Sequence, residues 1–248
     1  MPYTAPPAPA ASSSLQIVID IDSLLVDTAA GVRHALHSVA RLRNRRGTIR
    51  LTLAQLRSRS LADLIGEIAG CDDAGMIAEL VEHYWRVYEQ ESRFRAPLLP
   101  GAASLMRTLA AMNANLHYVS TYGPQAATAL VHRRGLAQLL TTVYTPPQSI
   151  CPCARSPLFE NFICGRVAPA HRHLLLSDHL PELYTAQRIG VPALALGYGR
   201  TAGPCLESVP GLLGVADSPQ DVGRWLRAHA AADGYLHDRS RRTAAQLH

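Results

Sequence analysis

Near the start of the chain the apolar run Leu15-Gln16-Ile17-Val18-Ile19 leads directly into Asp20-Ile21-Asp22. The run is too short for an ordinary globular helix and rich in β-branched residues, which predicts a strand buried on both faces of a parallel sheet. In open α/β sheets ligands gather beyond the carboxyl ends of the strands, so this strand delivers two acids to the ligand-binding edge. Residues i and i+2 of a strand share a face. Asp20 and Asp22 therefore converge on one site if the strand geometry persists to its end. Two unpaired carboxylates that close repel each other and raise a pKa, and a bound cation removes that cost. The plainer alternative is a strand end closed by solvated acids.

The text that follows alternates between helical and strand periods. Over 29–94 the apolar residues recur at three- and four-residue spacing, as in Val32, Leu36, Val39 and Leu42, then Leu61, Leu64, Ile65 and Ile68, then Met76, Leu80, Tyr84 and Val87. No strand signal interrupts them, so the expectation is a helical bundle inserted after the first strand, with Tyr84, Trp85 and Tyr88 as packing residues. Pro100-Gly101 punctuates the chain before a helix over 102–111. Strands are expected at 116–120, 139–144, 173–176 and 193–196, and helices at 124–134, closed by Gly135, and at 219–229, with Val222, Trp225 and Leu226 inward. The Pro-, Ser- and Cys-rich text over 145–166 reads as a loop.

The segment IVIDIDSLLVDT resembles the first motif, hhhhDxDGTLVDS, of the haloacid-dehalogenase-like superfamily, in its phosphoglycolate-phosphatase-like branch. Three further stretches extend the resemblance over nearly the whole chain. LPGAASLMRTLAAMNA is similar to the family's return to its core, Thr121-Tyr122-Gly123-Pro124 to its second motif (often TNKP), and HLLLSDHLPE with AQRIGVPALALGYG to its fourth, hhhhGDxxxD. The third motif is a lysine, and the chain has none; Arg155-Ser156-Pro157 lies close to the usual distance ahead of the fourth, with Arg166 and Arg172 as runners-up. Ser23 and Ser177 stand where the family has glycine, Leu24 where it has threonine and Glu182 where it has aspartate.

The resemblance implies a doubly wound parallel α/β sheet, Rossmann-like, with an inserted α-helical cap. The core is expected over 15–28 and 96–228 and the cap over 29–95. It implies Asp20 as an aspartyl-phosphate nucleophile, Asp22 as general acid and base, and Thr121 (or the adjacent Ser120) and Arg155 as contacts for phosphoryl oxygens. Mg2+ is the implied cofactor, held by Asp20, Asp178, Glu182 and the backbone carbonyl of Asp22. The expected activity is hydrolysis of a small phosphorylated metabolite. A sugar phosphomutase, or a catalytically impaired relative with a binding or regulatory role, is the alternative; a dehalogenase is disfavoured because it has no need of Asp22.

Composition narrows the partners. At 48% hydrophobic and 17% charged, the 248 residues suit one domain, or one with a modest insertion, rather than a disordered chain. All 24 basic residues are arginine, giving a formal charge of +5. They are scattered, with clusters only over 41–46 and 239–242, so the expectation is a solvated surface whose mild positive field suits anionic substrates, and neither nucleic acid nor membrane as partner. Five cysteines are no disulfide framework in a chain this long, so the expected setting is reducing and cytoplasmic, as monomer or homodimer. Residues 1–14, rich in Pro, Ala and Ser, read as a disordered lead-in rather than a secretory signal, and 229–248 as a mobile tail. Cys151-Pro152-Cys153 with Cys164, His171 and His173 invites a zinc site, but the CxH that accompanies such loops in some relatives is missing. Cys71 and Cys205 read as ordinary thiols.

Overall fold

Ile17 and Ile19 pack to one side of the first strand and Val18 to the other, and all three are buried. A strand buried on both faces needs an apolar cover on each. The computed structural model describes residues 15–45, 49, 51, 55, 59–112, 114–149, 155–165, 173–199 and 203–230, and in it helices cover both faces of one six-stranded sheet. The strands are β1 (Gln16–Ile19), β2 (Asn115–Val119), β3 (Thr142–Tyr144), β4 (His173–Ser177), β5 (Ala193–Leu196) and β6 (Gly214–Ala216). All pair parallel, in the order β3-β2-β1-β4-β5-β6. Ile19 is level with Tyr118 of β2 on one side and Leu176 of β4 on the other. The strand order turns back between β1 and β4, so the crevice that such a reversal opens lies at their carboxyl ends.

The helices are α1 (Ile21–Leu25), α2 (Thr28–Leu42), α3 (Leu61–Ala69), α4 (Ala74–Val87), α5 (Ala102–Ala111), α6 (Pro124–Arg133), α7 (Arg155–Cys164), α8 (Leu180–Arg188), α9 (Gly203–Glu207) and α10 (Pro219–Ala230), with a π-helical turn Tyr88–Ser92 and a short helical turn Arg93–Arg95 extending α4. Leu105 of α5, Leu130 of α6 and Val222 and Leu226 of α10 cover the Ile17 face. Phe159 and Phe162 of α7 and Leu183 of α8 cover the Val18 face. Each such side chain contributes about 1.5–3 kcal/mol by leaving water.

Helices α2, α3 and α4 form an insertion between β1 and β2 with an apolar cluster of their own, built on Leu36, Val39, Ile65, Leu80 and Tyr84. Ser60 caps α3 and Asp73 caps α4 through the N–H groups of Asp63 and Met76. Of the faces anticipated from spacing, Leu36, Val39, Leu64, Ile65, Leu80 and Tyr84 are buried, Val32, Leu61, Ile68, Met76 and Val87 are partly buried, and Leu42, at the end of α2, is 55% exposed. Trp85 is 41% exposed and stands edge-on to Tyr84 and Tyr88. The chain leaves β1 through Val26 and returns through Leu98, and the two form an antiparallel bridge. The Asp27 N–H donates to Pro97 O at 2.9 Å and the Leu99 N–H to Leu25 O at 2.8 Å.

The expected loop is not one. The supposed loop over 145–166 contains helix α7. Pro157 is its third residue, inside the first turn, where the missing N–H costs nothing. Leu158, Phe159, Phe162 and Ile163 then fall at helical spacing and are all buried. Helix α9 and the short strand β6, which opens on Gly214, were also not anticipated. The lead-in over 1–14, the tail from 231, Cys151, Cys153, Arg166, His171 and Arg172 lie outside the described residues. Among the described residues no helix is long and apolar enough to cross a membrane.

Candidate active site

The strand geometry assumed for Asp20 and Asp22 does not persist. β1 ends at Ile19, and Asp20 is the N-cap of α1, its carboxylate accepting from the Asp22 N–H at 3.4 Å. The two acids are linked through that backbone N–H at the start of a helix, not by strand alternation. Both are buried, although a solvated strand end would leave them exposed. Asp20 Oδ2 accepts from Ser23 Oγ at 2.8 Å and from Arg155 Nη1 at 2.6 Å. Asp22 Oδ2 accepts from the hydroxyl of Tyr122 at 3.3 Å.

Arg155 opens α7 and is buried, which is rare for a charged side chain without partners. It has two: besides Asp20, its Nε–H donates to both oxygens of Glu182 at 3.0 Å. Burial alone disfavours the guanidinium cation, but Asp20 and Glu182 reverse this and raise its pKa. Its Nη2 is buried with no hydrogen-bond partner among the described residues. The N–H groups of that corner of the fork are thus unused.

Glu182, in the first turn of α8, is fully buried. Ser177 Oγ accepts from the His179 N–H at 3.0 Å and donates to Glu182 Oε2 at 2.5 Å. Burial pushes the Glu182 carboxyl up, while Arg155 and the hydrogen bonds from Ser177 and Arg155 pull the other way. Glu182 was expected to reach a cation together with Asp20, Asp22 and Asp178. Among the described residues, however, no three His, Cys, Asp or Glu side chains are grouped as a metal ion would need. Glu182 is taken up by Arg155 and Ser177.

Asp178 follows β4 directly and is buried. Gly199, after β5, closes against it: a Cβ at that position would stand 2.3 Å from Asp178 Oδ2. Tyr198 donates to Leu24 O at 3.1 Å. Its phenol is pushed upward by burial first, then by Asp178 and Asp221. Asp22 and Asp178 line a cleft of about 240 Å3 with Tyr198 and Gly199, facing Asp27, Thr28 and Arg33 at the start of the insertion. Asp20, Arg155 and Glu182 are not among the residues lining it. The acids offer only oxygen donors, the chemistry a hard cation such as Mg2+ takes from one or two carboxylates plus a substrate.

Thr121 lies buried beyond the end of β2. It does not cap the next helix; Gly123 is the N-cap of α6 and Pro124 its first residue. Ser120 instead closes the turn, its Oγ accepting from the Tyr122 N–H at 3.1 Å. No hydrogen bond among the described residues joins Thr121 to the acids. His173 stands at the opposite end of β4 from Asp178, and Cys164 is exposed. Sequence reasoning missed Tyr122, Tyr198 and Gly199, which mark no chemistry by type, and saw Ser23 and Ser177 only as departures.

No family model matches the sequence, and neither does any curated protein. Solved structures do. A haloacid-dehalogenase-like hydrolase from Streptococcus pneumoniae superposes with a TM-score of 0.64 at 17% identity, over 86% of this chain and 99% of its own. The chain has the fold of the haloacid-dehalogenase-like hydrolases. A predicted phosphoglycolate phosphatase from Haemophilus somnus gives a TM-score of 0.61 at 16% identity, over 87% of this chain and 99% of its own. CbbY from Rhodobacter sphaeroides, solved in complex with phosphate, gives 0.56 at 16% identity, over 85% of this chain and 96% of its own. In the haloacid-dehalogenase-like architecture, β1 with Asp20 and Asp22 and β4 with Asp178 are the two strands that meet at the switch point.

Proposed function

We propose that the protein hydrolyses small phosphomonoesters through an aspartyl phosphate on Asp20. The reading is carried by one observation: Asp20 is buried at the tip of the central strand, with Arg155 on it at 2.6 Å and Asp22 two residues on. Asp20 Oδ1, which accepts only the long 3.4 Å contact from the Asp22 N–H, is the less engaged oxygen and the one to attack phosphorus. Its bond to phosphorus forms as the bond to the leaving oxygen breaks, and Asp22 protonates that oxygen. Asp22 then takes a proton from water, which attacks the aspartyl phosphate and releases phosphate. Arg155, with Nη2 unsatisfied, and the Thr121 hydroxyl supply donors for phosphoryl oxygens as charge redistributes.

The residues that would hold Mg2+ are Asp20, Asp178 and the backbone carbonyl of Asp22. When bound, the ion offsets the charge of acids and phosphate. Glu182 has a different part, holding Arg155 in register. The helical insertion serves as the cap, with the bridge at Val26 and Leu98 as its connection to the core.

The test is phosphate release from a panel of phosphomonoesters, with Mg2+ and with EDTA. We expect turnover that needs the metal, abolished in Asp20→Asn and nearly so in Asp22→Asn with circular dichroism unchanged. Full activity in Asp20→Asn would remove the aspartyl phosphate from the mechanism.

A further inference from the structure

The two serines that replace motif glycines occupy matching places in one buried network. Arg155 reaches Asp20 with Nη1 and Glu182 with Nε. Ser23 Oγ donates to Asp20 Oδ2 at 2.8 Å, the same oxygen that Arg155 contacts. Ser177 Oγ donates to Glu182 Oε2 at 2.5 Å, and Arg155 Nε contacts that oxygen too, at 3.0 Å. Each carboxylate that flanks the guanidinium thus carries one hydroxyl of its own. All five side chains are buried. A glycine at 23 or 177 offers no such donor.

We infer that Ser23 and Ser177 are positioning residues that fix the two carboxylates flanking Arg155, and so aim its unsatisfied Nη2 at the phosphoryl group. The inference rests on the hydrolase reading above. Its physical basis is the shape of the cation. A lysine ammonium is a compact charge that turns its donors freely, whereas a guanidinium is a rigid planar fork. A fork held at two corners leaves the third with no freedom to correct an error, so both carboxylates must be set independently. Ser177 is itself set by the His179 N–H, and Ser23 by its place within α1.

The test is a set of double-substitution cycles with two readouts, turnover and urea unfolding. Ser23→Ala and Ser177→Ala should each lower kcat roughly tenfold, as loss of a hydrogen bond to a charged group does, with KM within about twofold. In an Arg155→Lys background, where no fork needs aiming, the same changes should cost less than about twofold. Urea midpoints should likewise fail to add between each serine and Arg155, because groups in one network couple. Serine losses that persist in full in the Arg155→Lys background, or serine variants with wild-type kcat, overturn the inference. If wild-type protein turns over no phosphomonoester, the hydrolase reading falls instead. Unfolding then decides the network alone: additive midpoints for Arg155→Lys with both Ser23→Ala and Ser177→Ala would overturn it. Using two serines guards against one variant that does not fold.

Discussion

Arg155 and Arg188 show how differently one residue type behaves with depth. Arg188 meets Glu160 at 2.6 Å on the surface, where solvent screens the pair and its loss should leave stability nearly unchanged. Arg155 meets Asp20 at the same distance, but in the interior. Removing one partner there strands a buried charge, which typically costs about 3–5 kcal/mol. We therefore expect Arg155→Ala to lower the urea-unfolding free energy by about that much and kcat/KM at least tenfold, with Arg155→Lys recovering part of both. Wild-type unfolding in Arg155→Ala would mean that the buried network has no energetic weight. Asp20 is constrained at both its backbone and its side chain. Its role as N-cap of α1 fixes its backbone, and Ser23 and Arg155 fix one oxygen, which leaves the other with only the long Asp22 contact.

Helix α7 brings Arg155 to the site, and its cover of the sheet decides where that arginine stands. Phe159 is fully buried, and Phe162 nearly so, in the cluster on the Val18 face. His117 and Tyr144 lie against Phe162 with ring centroids at 5.3 Å. Truncating a buried phenylalanine costs about 3–5 kcal/mol. Phe159→Ala should destabilise the protein by that amount in urea. It should also lower kcat more than Phe94→Ala, which touches the other face, since only α7 carries Arg155. Equal kinetic losses from the two would separate the packing of α7 from the placement of Arg155. The connecting segment is an element too: Arg134 Nη1 donates to Ala96 O at 2.7 Å and Arg133 stacks over Phe94 at 4.6 Å, tying the end of α6 to the segment that returns from the insertion.

For the whole molecule, a metal that binds only the folded state stabilises it by mass action, by about 2.7 kcal/mol at a hundredfold excess over Kd. In a chain of this size each kcal/mol moves Tm by about 2–4 °C. Saturating Mg2+ should therefore raise Tm by roughly 5–10 °C, and Asp178→Asn should abolish the shift. A Tm indifferent to Mg2+ would remove the ion from the site. What the sequence determined by itself was local. β1, the helix at Ala102–Ala111, β5 and the insertion were legible because period and punctuation are properties of neighbouring residues. Asp20 and Asp22 were legible as candidates because they close a predicted strand, whereas Asp178 and Arg155 came from the family resemblance, Arg155 on text that read as a loop. Tertiary structure alone decided the partners. Glu182 has the same charge whether it holds a cation or an arginine, and only burial beside Arg155 and Ser177 commits it to the arginine. The serines at 23 and 177 carry no signal in sequence: each bonds a carboxylate three or five residues along the chain, and only when α7 brings Arg155 against both carboxylates do the two local pairs become one network, because that contact depends on distance in space and not along the backbone.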